Sequence, residues 1–129
     1  MLMFNKLSVL SVPVKSQQAA KDFYVNVLGC KVITDVPFGP DTETHWVQLE
    51  LPNTGTSLTL VTWFKQMPPG SLQGVVLTTD DIAATRAELI KRGLAVSEIE
   101  NQSYALEATF SDPDGNGWVL EQMHPAPAQ

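Results

Sequence analysis

The same order of elements occurs twice along this chain, and that repeat limits its fold more than any other feature. Residues 7 to 14, LSVLSVPV, alternate as a strand does, and residues 17 to 28 place Ala20, Phe23, Tyr24, Val27 and Leu28 at helical spacing. Ser16 supplies an N-cap and Gly29 a left-handed stop. Extended segments follow near 30 to 36, 44 to 51 and 56 to 63, separated by turn-forming Pro, Gly, Asp and Asn residues. After Met67-Pro68-Pro69-Gly70 the order restarts: a strand at 72 to 79, a helix capped by Asp80 or Asp81 and running through Arg92, then strands near 94 to 99, 104 to 110 and 117 to 123. Sliding one half over the other by about 64 residues brings Gly29 onto Gly93 and Ala20 onto Ala84.

One β-α-β-β-β unit cannot cover both faces of its own sheet, so two copies must share apolar surface. The expected fold is α+β: two fused β-α-β-β-β modules, about 6–64 and 71–124, form curved mixed sheets around a cavity with the helices outside. A single domain of 129 residues, 43% of them apolar, can close such a core. The last six residues, HPAPAQ, read as a frayed terminus.

Charge and segment lengths narrow the functional classes. The formal net charge is −6 and Lys and Arg form no stripe, which argues against nucleic acid. No segment approaches the roughly 20 apolar residues of a membrane span, and the first residues lack a secretion leader's apolar run, so a cytoplasmic location is expected. Cys30 is the single cysteine and reads as a packed thiol.

Val12-Pro13-Val14 with Ala20-Lys21-Asp22-Phe23-Tyr24 and Leu28-Gly29, then Thr79-Asp80-Asp81-Ile82, Leu89, Arg92-Gly93 and Phe110-Ser111-Asp112-Pro113-Asp114-Gly115-Asn116, resemble the vicinal oxygen chelate superfamily. That superfamily includes glyoxalases, extradiol dioxygenases, fosfomycin-inactivating enzymes and bleomycin-binding proteins, and the resemblance spans nearly the whole chain. In its metal-using members a His or Glu on the first and last strand of each module binds a divalent ion, which holds vicinal substrate oxygens. Here those positions fall on Val9, Gly74, Val119 and, across loops of variable length, Thr59. Valine and glycine have no donor atom and a neutral threonine hydroxyl is a weak one, so neither a metal nor another cofactor is expected. His45 and His124 are the only histidines and read as surface residues. Asp112 to Gly117 resembles the start of a calcium loop, but Met123 stands where the bidentate Glu belongs, so it reads as an Asx turn.

Strand alternation nominates the residues that face the cavity. If Thr59 points inward, so do Ser57, Val61 and Trp63; if Val119 does, so does Glu121, whereas Trp118 faces the opposite way. Trp46 and Trp63 offer flat apolar surface with one N–H donor each. Glu121 is the candidate general acid or base, should there be turnover. The leading expectation is metal-independent binding of a small organic molecule in the inter-module cavity by Ser57, Thr59, Trp63, Glu121 and Trp46. The alternative is a metal-dependent lyase or dioxygenase with a rearranged site. The resemblance also implies a homodimer.

Overall fold

The computed structural model describes residues 1–125, so residues 126–129 of the expected frayed tail lie outside it. Strand β1 (Val9–Pro13), helix α1 (Gln17–Asn26) and strands β2 (Lys31–Pro37), β3 (His45–Glu50) and β4 (Ser57–Val61) make the first module. Strand β5 (Val75–Thr78), helix α2 (Ile82–Lys91) and strands β6 (Glu100–Asn101), β7 (Ala105–Ser111) and β8 (Gly117–Met123) make the second. Each module is one four-stranded mixed sheet, in the orders β1-β4-β3-β2 and β5-β8-β7-β6. In both, the first strand runs parallel to the last and the remaining pairs are antiparallel. The crossover helix makes the parallel pairing possible, because a tight turn can only reverse the chain.

The helices start and stop where side-chain chemistry dictates. Ser16 Oγ accepts the N–H of Ala19, and the Asp81 carboxylate accepts that of Ala84. Gly29 and Gly93 each follow their helix with positive φ. Period-two alternation then sorts the strand residues. Val12, Val47, Leu49, Leu58 and Leu60 of the first sheet pack beneath Ala20 and Tyr24 of α1. Ala108, Phe110, Trp118 and Leu120 of the second sheet complete the same core with Ile82 and Leu89 of α2. Burying each of the large members contributes about 1.5–3 kcal/mol.

Two segments depart from the expected strands. Residues 94–99 are not a strand, because the Arg86 side chain takes the carbonyls of Val96 and Ser97 that a ladder would use. Strand β5 starts only at Val75: Gly74 sits at φ 75°, and the Gln73 amide donates to the Gly70 and Gly115 carbonyls, holding the connection as a turn.

A buried polar hub fixes one module against the other. Asp112 Oδ2 accepts from the Tyr24 hydroxyl at 2.6 Å and from Asn116 Nδ2 at 2.8 Å, and its Oδ1 accepts the N–H groups of Asp114 and Asn116. Asn116 Nδ2 also donates to the Pro13 carbonyl, and Trp118 Nε1 donates to the Tyr24 oxygen at 3.1 Å. The loop that mimics a calcium site is therefore a structural turn whose first carboxylate is occupied by four donors. Burial and the Asp112 carboxylate push the Tyr24 pKa upward, which keeps this hydroxyl a donor.

Candidate functional site: an aromatic and polar sheet face

The sheet face turned away from the helix in each module carries the residues that alternation nominated. In the first sheet the cross-strand register aligns Ser11, Thr59, Gln48 and Thr34 in one polar row spanning all four strands. Val9, Ser57 and Glu50 form the row on one side, while Val36 and Trp46 pair on the other. Thr59 is only 1% exposed although it faces away from the core, and its hydroxyl lies 3.4 Å from that of Ser11.

Aromatic rings close one end of this face. Trp46 and Trp63 stack with centroids 6.1 Å apart and planes at 24°. Phe38 lies against both, 5.6 Å from Trp46 and 4.9 Å from Trp63, and Phe64 extends the cluster beyond Trp63. Both phenylalanines remain exposed, at 43% and 47%. Phe38 escaped the sequence reading because it stands in the turn after β2, where strand parity has no force. Gln48 accepts the Trp46 indole N–H at 3.1 Å, a pairing visible in sequence only as two residues of equal parity.

Glu121 belongs to the other sheet. It pairs across the register with Thr78 on one side and Glu107 on the other, and Glu107 pairs in turn with Glu100. Three carboxylates thus stand in one row, with the Tyr104 hydroxyl donating to Glu107 at 3.2 Å. The nearby charge of Glu107 raises the Tyr104 pKa. Val76, Thr109 and Val119 occupy the neighbouring row, and Val76 is 48% exposed. Ser57, Thr59, Trp46 and Trp63 stand on the first sheet's face, whereas Glu121 lies on the second module's face within the same chain. An open groove of about 540 Å³ between the modules is lined by other residues, among them Leu10, Leu58, Val75, Leu77 and Trp118.

The residues at the metal-ligand positions do not suit a divalent ion. Val9, Gly74 and Val119 bring no donor atom, and the buried Thr59 hydroxyl brings no charge to offset ion desolvation. Among the described residues no group of three or more His, Cys, Asp or Glu side chains is gathered as metal ligands. His45 faces the helix side, its Nδ1 at 2.5 Å from Asp35, whose other oxygen accepts from Lys21 at 2.6 Å. Those two partners hold the Asp35 carboxyl below its ordinary pKa. His124 Nε2 pairs with Asn101 and the Gln102 carbonyl on the second sheet. Cys30 is buried, and burial pushes its thiol up to about 12, which suits packing and opposes nucleophilic use.

Two β-α-β-β-β modules with helices outside, with no donor atom at three of the four family ligand positions, define a fold of the vicinal oxygen chelate kind. The chain belongs to the Glyoxalase/Bleomycin resistance protein/Dioxygenase superfamily, whose match spans residues 6–120. It is similar to TnmS3, an antibiotic binding protein from Streptomyces sp. CB03234, with 42% identity, a TM-score of 0.84, and coverage of 96% of this chain and all of that one. A glyoxalase/bleomycin resistance protein from the same organism is 44% identical with a TM-score of 0.77, covering 91% of this chain and 100% of that one. The uncharacterized protein YetH of Bacillus subtilis (strain 168) is 30% identical over 124 residues, 93% of this chain and 100% of the relative.

Proposed function

We propose that this protein binds a small organic molecule without a metal ion, on the sheet face of the first module, and that the molecule has an aromatic surface. The observation that carries this is the stacked Trp46 and Trp63 pair, with Phe38 beside it, on a face whose neighbouring row offers the half-buried Ser11 and Gln48 for hydrogen bonding. Indole faces supply large contact area at little conformational cost, and the few polar groups beside them orient a guest. Similarity to an antibiotic binding protein supports the same reading.

The functional unit in this proposal is a homodimer in which each chain acts as one domain. A partner's second-module face, carrying Glu121, would cover the first-module face that carries Ser57, Thr59, Trp46 and Trp63. Exposed Val76 and the half-buried Val119 give that second face an apolar centre. The absence of a second cysteine suits a reducing cytoplasm, and the net charge of −6 opposes a nucleic-acid role. Among the described residues no helix is long and apolar enough to cross a membrane.

Titration with bleomycin and a set of aromatic antibiotics, followed by tryptophan fluorescence, tests the proposal. A saturable change is expected that survives EDTA and is lost in Trp63→Ala. Binding abolished by EDTA, or a stoichiometric divalent ion found by elemental analysis of protein from metal-supplemented medium, would overturn it. Light scattering of the eluting protein should give twice the mass of the 14.1 kDa chain.

A further inference from the structure

We infer that Gln48 both fixes the aromatic wall and reads an acceptor oxygen on the ligand, so that the preferred guests are flat aromatic molecules with a carbonyl-type oxygen at the ring edge. The inference rests on the first-module face being the binding face.

The indole N–H of Trp46 can only donate, so the atom of Gln48 that it meets at 3.1 Å must be the amide oxygen. This contact settles the orientation of the amide. Its oxygen is committed to the protein, and the NH2 end, which can only donate, is left to the polar row of Thr34, Gln48 and Thr59. Gln48 sits at the centre of that row, one pleat from Trp46 on the same strand and directly across from Thr59 on β4. The same contact restrains Trp46 about its side-chain torsions and holds it against Trp63.

An aromatic guest lying on this wall would therefore bring its edge to a pair of amide protons. The Ser11 hydroxyl can adapt to either polarity, since it can donate to or accept from the buried Thr59 hydroxyl across 3.4 Å. Gln48 cannot adapt while it holds Trp46. A ligand with an acceptor at that edge satisfies the amide; one with only C–H there leaves a polar group desolvated and unpaired, and binds more weakly. One neutral hydrogen bond corresponds to a preference of about 5-fold.

Two variants separate the two roles. Gln48→Glu keeps an oxygen for the Trp46 N–H but has no NH2, whereas Gln48→Leu has neither. The probes are 9-fluorenone and fluorene, planar aromatics of similar shape that differ by one ketone oxygen. Protein labelled with 15N at its indoles reports each tryptophan separately, and Trp118, bonded to Tyr24 in the core, serves as the internal reference for folding.

In the free protein, hydrogen exchange at the Trp46 indole should accelerate in Gln48→Leu and stay slow in Gln48→Glu, with Trp118 unchanged in both. Equal Trp46 protection in wild type and Gln48→Leu would overturn the positioning role. In the titrations, the wild type should bind fluorenone about 5-fold more tightly than fluorene, judged by the Trp46 and Trp63 resonances. Both variants should lose that preference. Equal binding of the two probes to the wild type would overturn the reading role while leaving the binding face in place. Failure of both probes to move Trp46 and Trp63 would overturn the reading role and the face together.

Discussion

Replacing Tyr24 by phenylalanine removes one oxygen atom from the hub that joins the modules, and the structure allows its cost to be worked out. The hydroxyl donates to Asp112 at 2.6 Å and accepts from Trp118 Nε1 at 3.1 Å. A hydrogen bond to a charged group contributes roughly 1.5–3 kcal/mol, and a buried donor left unpaired costs roughly 1–3 kcal/mol. Tyr24 and Trp118 are 0% and 1% exposed, so water cannot readily replace the lost partner. Asp112 keeps its contacts to Asn116 and Asp114, which limits the damage at the carboxylate. The expected loss is about 3 kcal/mol, a large share of the roughly 5–15 kcal/mol that holds a domain together. In urea this lowers the unfolding midpoint by about 1.5 M at an ordinary dependence on denaturant. The double variant with Trp118→Phe should lose less than the sum of the two single losses, since both remove the same indole contact. A Tyr24→Phe protein within about 0.5 kcal/mol of wild type would show that the hub is energetically idle, and refute the reasoning.

Three further outcomes follow from other parts of the molecule. A thiol reagent at pH 8 should leave Cys30 untouched in the native protein and react in urea, because burial raises its pKa to about 12; rapid native labelling would contradict this. Asp35→Asn should be less stable than wild type at neutral pH. The difference should stay level above about pH 5 and shrink as the pH falls below about 4, where the wild-type carboxylate with its depressed pKa takes up a proton. Urea unfolding across the acid range reads that difference. Gly70→Ala should destabilise by more than 1 kcal/mol, roughly the cost of a side chain at φ 83°, because its methyl would also run into the Asp114 carbonyl; thermal unfolding measures it.

Local rules reached far into this fold because its interactions are largely periodic. Val47 and Leu49 against Trp46, Gln48 and Glu50 is a parity statement that any half-buried strand obeys, and the same rule sends Trp118 inward while Val119 turns outward. Caps at Ser16 and stops at Gly29 and Gly93 are likewise local chemistry. What parity misses is whatever a long side chain does outside its own strand. Arg86 converts 94–99 from an expected strand into an irregular segment by taking two of its carbonyls, and nothing near residue 96 announces it. Phe38 joins the tryptophans from a turn, and Gln48 acquires its role from an indole that could have rotated elsewhere. Glu121 stands on a sheet face by strand parity, but alternation cannot tell which face of which sheet will lie opposite another.

No strand is shared between the two sheets, and the hydrophobic core lies on their helix sides. Substitutions at Thr78, Thr109 or Glu121 therefore spare the packing around the helices and fall on the surface offered to a guest or a second copy. Such a scaffold can drift in what it accepts while each chain keeps its architecture.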